Sequence, residues 1–190
     1  MGYAKTKNLE TIKEHTDRLL ENLKILRKIY GKEIVKVINI DKKRFWELLE
    51  IICKYHDIGK VYTPFQNIIR NKLWKPPIQT KFSYEILKHE QLSPIFIPVE
   101  KYKLTKDEKL LVYQVIYYHH ERERKEINIQ YLEEVIKEDI EPRIEEIKEE
   151  FGYEIEDDLD ISFIKYIRNR IKESNKLYIE YCLLKGLLHR

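Results

Sequence analysis

The sequence predicts an all-α protein. Charged residues make up 36% of its 190 residues, whereas there are only five glycines and six prolines. Because glycine and proline are the strongest helix breakers, their scarcity beside abundant Lys, Glu, Ile and Leu favours helix. Apolar residues also recur at spacings of three and four along several segments, as on one face of a helix. A chain of this length corresponds to about one domain, so we expect a single domain over residues 1–190.

The first two predicted helices each carry a histidine on or beside an apolar stripe. The first helix covers 9–30, and His15 lies beside a stripe formed by Ile12, Thr16, Leu19, Leu23 and Leu26. A linker over 31–41 leads to the second helix, over 45–57, whose stripe consists of Phe45, Leu48, Leu49, Ile52 and His56. We expect Gly59 to end this helix, because glycine commonly terminates helices.

The remaining helices are separated by helix-breaking residues. Further helices are expected over 63–73, 82–92, 128–150 and 161–189. Pro76 and Pro77 cannot continue the first of these, and Pro142 interrupts the third. The last is expected to break near Ser174 and Asn175.

The most apolar helix begins at a recognisable signal. Thr105 and Glu108 have the spacing of a capping box, in which each side chain accepts a hydrogen bond from the backbone N–H of the other residue. The helix that follows runs to His119 and His120, and we expect it to be central. His119 shares a stripe with Val112, Val115 and Ile116.

Charge and cysteine content exclude several classes of protein. The net charge is +3, from 36 Lys and Arg against 33 Asp and Glu, so any nucleic-acid binding must come from local patches. Cys53 and Cys182 form no CxxC pair and lie within apolar helical patterns, which predicts buried free thiols in a reducing compartment. No signal peptide or membrane-length apolar run is visible, so we expect a cytoplasmic protein with no membrane partner.

Histidines are concentrated at helix ends and inward faces. Five of the six lie at such positions on four predicted helices: His15, His56, His89, His119 and His120. Singly, each is compatible with a hydrogen-bonded core histidine. Together with Asp57, they indicate a metal site, because converging neutral imidazoles and a buried carboxylate need a cation.

The order of these residues resembles the HD superfamily of metal-dependent phosphohydrolases, which is named for an adjacent His-Asp pair. The finer pattern resembles the HD nuclease of CRISPR type I interference, which accompanies a Cascade-recruited DNA helicase. That pattern comprises EHTDRLLENL around His15, HDIGK followed by Phe65-Gln66, HEQLS with Ser93 after His89, and the double histidine. The likeness extends over residues 9–190 and implies an HD-domain helical bundle with its metal site between core helices.

The resemblance implies that Asp57 bridges two metal ions and is catalytic. One ion would be held by His15, His56 and Asp57, and the other by Asp57, His89, His119 and His120. Mixed nitrogen and carboxylate ligands suit manganese, iron, cobalt or nickel, and suit magnesium less well. We therefore expect one or two divalent ions of open identity.

Two further residues near the motif have alternative roles. Lys60 is a catalytic candidate that places its ammonium on a substrate phosphate, or it is a solvated lysine after a helix end. Ser93 donates to the scissile phosphate or caps a helix end. His189 lies outside the pattern and is expected at the surface.

One departure from the family pattern concerns the first metal. Related HD nucleases usually complete its shell with an aspartate on a late helix, and no Asp follows Asp160 here. The chain is an N-terminal fragment of a longer protein, or Asp157, Asp158 or Asp160 substitutes, or the first site is incomplete. We favour the fragment.

A basic stretch precedes His89 and provides a candidate path for single-stranded DNA. It contains Arg70, Lys72, Trp74, Lys75 and Lys81. Cations follow a phosphate backbone, and an exposed aromatic ring stacks on a base. The alternative is a solvated loop with Trp74 packed beneath it. A second basic cluster, Arg122, Arg124 and Lys125, follows His120 among glutamates.

The leading hypothesis is a metal-dependent DNA nuclease that acts chiefly on single strands. Its partners would be a CRISPR helicase and a Cascade-type targeting complex. An alternative within enzymes is an HD phosphohydrolase of nucleotides or cyclic dinucleotides. A third hypothesis is a catalytically weak, metal-stabilised interaction module that docks a partner through the acidic helix 132–150.

Overall fold

The computed structural model describes residues 2–5, 9–120, 126–159 and 161–189. These residues form helices and no strand, so the predicted all-α class is confirmed. The α-helices are α1 (Ile12–Ile34), α2 (Lys42–Tyr55), α3 (Thr63–Lys72), α4 (His89–Leu92), α5 (Lys106–Tyr117), α6 (Ile129–Val135), α7 (Ile144–Phe151), α8 (Ile164–Ile167) and α9 (Tyr178–Leu188). Short 3₁₀ turns cover Ile58–Val61, Ser93–Phe96 and Glu141–Arg143, and a π-helical turn covers Ile136–Ile140.

The core is built around α2 and α5. The predicted stripe of α2 is buried: Phe45, Leu48, Leu49 and Ile52 are completely inaccessible. On α5, Val112, Val115 and Ile116 are equally inaccessible. Helix α2 packs against α1, α5 and α9, so its C-terminal end lies inside the bundle.

Capping boxes begin two of the helices. The predicted box at α5 is present, with Thr105 N–H donating to Glu108 at 2.7 Å and Glu108 N–H donating to Thr105 at 3.3 Å. A second box, between Thr11 and Glu14, begins α1 at Ile12 rather than at the predicted position 9. Helix α1 also continues through Gly31 to Ile34, because an interior glycine costs only about 1 kcal/mol, which packing can offset.

Two predicted helices are much shorter in the structure. In the 82–92 segment only His89–Leu92 is helical, because hydroxyl groups of Tyr131 and Tyr62 bind the backbone of Ser83. In the 161–189 segment, 168–177 is irregular. There the buried Gln114 side chain accepts from the N–H of Ile171 at 2.8 Å and donates to nearby carbonyl groups. In both segments, tertiary hydrogen bonds replace those of a continuous helix.

One of the two cysteines is buried and the other is exposed. Both thiols are free, and Cys53 is buried, which raises its pKa to about 12. Cys182 is exposed on α9, so the prediction of a second buried thiol was wrong. Among the described residues, every helix is too short or too polar to span a bilayer.

Candidate metal centre

Asp57 lies where the ends of several helices meet. His56 caps the C-terminus of α2, and Asp57 follows it in the turn before Ile58–Val61. His15 lies in the first turns of α1, and His89 is the first residue of α4. His119 lies just beyond the end of α5, and His120 follows it. The fold therefore brings together all six residues that the sequence suggested as metal ligands.

The two carboxylate oxygens of Asp57 face different histidines. Oδ2 lies 3.1 Å from His15 Nε2 and 3.3 Å from His56 Nε2. Oδ1 lies 3.3 Å from His89 Nε2 and 3.7 Å from His119 Nε2. One carboxylate thus connects two sets of imidazoles.

Two groups of ligand atoms result, each compact enough to surround one ion. The Oδ1 group consists of Asp57, His89, His119 and His120, and the Oδ2 group consists of His15, His56 and Asp57. Within each group the ligand atoms lie within 4.8 Å of one another. The groups share Asp57, as expected for a bridging carboxylate.

The Nδ1 atoms of the buried histidines are bound away from Asp57. His56 Nδ1 lies 3.0 Å from the carbonyl of Cys53, and His119 Nδ1 lies 2.6 Å from the carbonyl of Ile116. A carbonyl accepts only, so these rings carry the proton on Nδ1. The lone pair of each is therefore on Nε2, which faces Asp57 and is ready to bind a cation.

Acidic and phenolic side chains support the rings of His89 and His15. His89 Nδ1 lies 2.9 Å from the Tyr84 hydroxyl and 3.2 Å from a Glu90 carboxylate oxygen. His15 Nδ1 lies 3.4 Å from a carboxylate oxygen of Glu10, which is buried. These supporting residues were not predicted from the sequence. For Glu90 the available signal was its position directly after His89.

The electrostatics of the centre keep the carboxylate charged and one imidazole neutral. Asp57 is only 3% exposed, and burial alone would raise its pKa. The facing imidazole of His56 and the ammonium group of Lys60 outweigh burial and hold the pKa of Asp57 well below its usual value. Burial lowers the pKa of His119 to about 4, so this imidazole is neutral at pH 7 and can bind a metal.

Unpartnered polar atoms show that the residues fit a divalent cation. Asp57 Oδ1, His89 Nε2 and His119 Nε2 are buried and have no hydrogen-bond partner within the part of the chain that the structure describes. Buried polar atoms are normally hydrogen-bonded, because leaving them unpaired costs free energy. Three such atoms converge here, and all are donors of electron pairs. A divalent ion with nitrogen and oxygen ligands satisfies them together.

A close backbone contact holds the turn that follows Asp57 against the segment that carries His89. A Cβ added to Gly59 would lie 2.1 Å from the carbonyl oxygen of His89, so only glycine fits. Ser93 Oγ accepts from the N–H of Gly59 at 2.9 Å and lies 2.8 Å from the carbonyl of His56. Ser93 is fully buried with these contacts, which favours the structural alternative over donation to the scissile phosphate.

Lys60 is an integral part of the centre. It is 7% exposed, and its Nζ lies 2.7 Å from Asp57 Oδ2. The alternative of a solvated lysine was wrong. The half-buried ring of Phe65 lies next to Lys60. Its centroid is 5.7 Å from Lys60 Nζ and 5.4 Å from the centroid of the His89 ring.

The basic stretch lies away from the ligands. Helix α3 has ten residues and is about 15 Å long, with Phe65 at its start and Trp74 just beyond its end. Trp74 is 96% exposed, so the alternative that it packs beneath the loop was wrong. Arg70 donates to the carbonyl of Pro76 at 2.7 Å, and Lys75 Nζ lies 3.2 Å from the Tyr3 hydroxyl. Lys72 is exposed.

Asp157 and Asp158, the described candidates for the missing aspartate, belong to neither group of ligand atoms. Asp157 and Asp158 are exposed, and Asp157 pairs with Lys148. Asp160 and the basic cluster of Arg122, Arg124 and Lys125 lie outside the described residues.

His189 contributes to the centre indirectly. Its side chain is exposed, as expected, yet its Nε2 lies 2.9 Å from the carbonyl oxygen of His119. Nothing in the spacing of the sequence indicated this contact, because it depends on how α9 packs against α5.

Fold and site together define an all-α protein with a buried histidine–aspartate centre that is suited to divalent metals. The chain belongs to the HD domain family, whose family model matches residues 12–178. This family consists of metal-dependent phosphohydrolases.

One solved structure is similar over nearly the whole chain. It is the CRISPR-associated Cas3 HD domain protein MJ0384 from Methanocaldococcus jannaschii, with a TM-score of 0.54 and 22% sequence identity. The similarity covers 94% of this chain and 93% of that chain, and at this identity it establishes a shared fold. No curated protein matches the sequence.

Proposed function

We propose that this protein is a divalent-metal-dependent DNA nuclease that hydrolyses phosphodiester bonds, chiefly in single-stranded DNA, during CRISPR interference. The observation that carries the proposal is the pair of ligand groups that share the carboxylate of Asp57. Residues arranged in this way would hold up to two divalent ions, an arrangement that suits an in-line displacement at phosphorus. Divalent ions, when bound, activate water and stabilise negative charge on the phosphoryl oxygens.

The protein's own residues supply orientation and charge. Asp57 bridges the two ligand groups, and its low pKa keeps it ionised at neutral pH. The backbone carbonyls of Cys53 and Ile116 hold two imidazoles with Nε2 directed at the centre. Lys60 brings a positive charge to the same place, where it favours an anionic substrate.

A rim of aromatic and cationic side chains suits single-stranded DNA. The rings of Phe65 and Tyr84 lie 5.4 Å apart beside His89, and Lys88 Nζ lies 4.3 Å from the Tyr84 ring centroid. Phe65, Tyr84 and Lys88 are half-buried, so each presents part of its surface to solvent. Unpaired bases stack on such rings irrespective of sequence, and lysines attract the phosphates.

The expected partners are a CRISPR helicase and a Cascade-type complex. Support comes from the similar solved structure, that of a CRISPR-associated Cas3 HD domain protein. A nuclease that acts on single strands needs a partner that separates the duplex. Arg70, Lys72, Trp74 and Lys75 would extend the strand's path beyond the rim.

The test is cleavage of circular single-stranded DNA after chelation and addition of manganese, cobalt, nickel, iron or magnesium. Asp57→Ala is the control, and elemental analysis reports the bound metal. Metal-dependent cutting that is absent from the variant supports the proposal. Bound metal without cutting contradicts it and favours an interaction module. Hydrolysis of nucleotides or cyclic dinucleotides alone would identify the other HD chemistry.

A further inference from the structure

We propose that the metal centre is asymmetric: one divalent ion binds tightly at the Oδ1 group, and Lys60 holds the Oδ2 group against a second ion. The inference rests on the metal chemistry of the proposed function. It concerns the number and affinity of bound ions, which are measured without DNA.

The Oδ1 group is complete and unsatisfied. It offers one carboxylate oxygen and three imidazoles, which is a full tetrahedral set. The unpartnered buried atoms Asp57 Oδ1, His89 Nε2 and His119 Nε2 all belong to it. An ion here relieves three unmet polar groups at once and displaces no existing ion pair.

The Oδ2 group is smaller and already holds a positive charge. Its ligand atoms come from His15, His56 and Asp57 alone. Lys60 Nζ lies 2.7 Å from Oδ2, closer than either histidine nitrogen. A second ion at this oxygen would lie beside the ammonium group of Lys60. The Asp57 carboxylate would then have to balance the charge of that ion as well as the charge of the ammonium group.

Other acids near this group are engaged elsewhere. Glu10 approaches His15 through Nδ1, on the side of the ring away from Asp57, and its carboxylate pairs with Arg18 at 2.7 Å. It therefore supports His15 without adding a ligand oxygen to the Oδ2 group. The Oδ2 group consequently contains a single negative charge.

The ammonium group of Lys60 is held in place by its surroundings. The backbone of Lys60 lies in the Ile58–Val61 turn, where its N–H donates to the Asp57 carbonyl at 3.0 Å. Its own carbonyl accepts from Gln66 Nε2 at 2.6 Å. Since the backbone is fixed and the side chain is buried, only rotation of the side chain can free Oδ2. A second ion must first displace this ammonium.

The experiment is a calorimetric titration of the metal-free chain, residues 1–190, with manganese, and ion content is measured after desalting. The wild-type chain is expected to retain one ion and to bind a second at least about tenfold more weakly. Lys60→Met should strengthen the second step by at least about tenfold. The matched control is Lys54→Met, because Lys54 is also a partly buried lysine in an ion pair, with Glu50.

Histidine variants test the inference independently of how well Lys60→Met folds. His15→Ala should keep the tightly bound ion, whereas His120→Ala should lose it. Equal affinity for two ions in the wild-type chain would overturn the proposal, as would loss of the tight ion in His15→Ala or no gain in a folded Lys60→Met.

Failure of this inference is distinguishable from failure of the nuclease. If two ions bind with equal affinity and DNA is cleaved, the proposed nuclease activity is supported and the proposed asymmetry is wrong. One tight ion with the variant effects above, but without cleavage, would support the asymmetry in a protein that is not a nuclease.

Discussion

Gly59 and His89 approach so closely that a Cβ on Gly59 would lie 2.1 Å from the carbonyl oxygen of His89. The contact joins the turn that follows Asp57 to the start of α4. The oxygen belongs to the backbone, so it cannot rotate away as a side chain would. A glycine 30 residues earlier in sequence than His89 therefore sets how closely two ligand-bearing segments approach.

We expect Gly59→Ala to lower the free energy of unfolding by about 1–3 kcal/mol, the usual range for overpacking a core. Separation of the two segments should also weaken metal binding. Gly186→Ala is the matched control, because nothing lies within 4 Å of the Cβ position there. Urea unfolding and metal content would be compared for both variants. A Gly59→Ala protein as stable as Gly186→Ala would contradict the close contact.

Asp57→Ala is expected to abolish both metal binding and cleavage. It should also destabilise the chain by about 3–5 kcal/mol, because removal of one partner leaves the buried Lys60 charge unpaired. The double variant Asp57→Ala, Lys60→Met should recover part of that stability while remaining inactive. Asp107→Ala, which breaks a more exposed pair with Lys176, is the control and should change stability by about 0–1 kcal/mol. Chemical unfolding gives the free energy of unfolding of the wild-type chain and of the three variants.

The metal-free chain should become less stable as the pH falls from 6.5 towards 4. His119 has a pKa of about 4 in the folded state and an ordinary value of 6.5, so the unfolded chain binds the proton first. The neutral ring therefore contributes stability above pH 6.5 that is lost as the pH falls, by about 3 kcal/mol in total. His119→Gln should flatten this dependence. Unfolding midpoints at pH 7.5 and 4.5 provide the measurement.

Tyr84→Phe should weaken metal binding by about tenfold without unfolding the protein. The change removes the hydroxyl that lies 2.9 Å from His89 Nδ1 and keeps the ring that stacks beside it. The control is Tyr102→Phe, which loses a hydroxyl contact with Tyr55 instead. Titration of the metal-free proteins with manganese compares them. Identical affinities would mean that Glu90 alone orients His89.

Trp74→Ala should weaken binding of single-stranded DNA by about 1–3 kcal/mol and leave thermal stability unchanged. The side chain is 96% exposed, so its removal creates no cavity. Ile25→Ala, on the exposed face of α1, controls for loss of apolar surface. Fluorescence anisotropy with a labelled oligothymidine in chelator reports binding without cleavage. Unchanged affinity would remove Trp74 from the substrate path.

Local sequence patterns determined much of the framework. The stripe from Phe45 to Ile52 predicted a buried helix, and the capping box at Thr105 predicted where α5 begins. These features depend on residues a few positions apart, so periodicity and capping chemistry are sufficient to identify them. The ordered histidines likewise identified the six residues that the fold brings together, because helix ends were already recognisable in the sequence.

Tertiary structure alone decided the irregular segments and the asymmetry of the centre. Segment 168–177 was expected within a helix that breaks only near Ser174 and Asn175, but Gln114, more than 50 residues away, binds its backbone instead. The sequence likewise does not show that the two carboxylate oxygens of Asp57 differ. One faces Lys60, and the other faces unpartnered imidazoles. Such contacts join residues that are distant along the chain, and their geometry exists only after the helices pack.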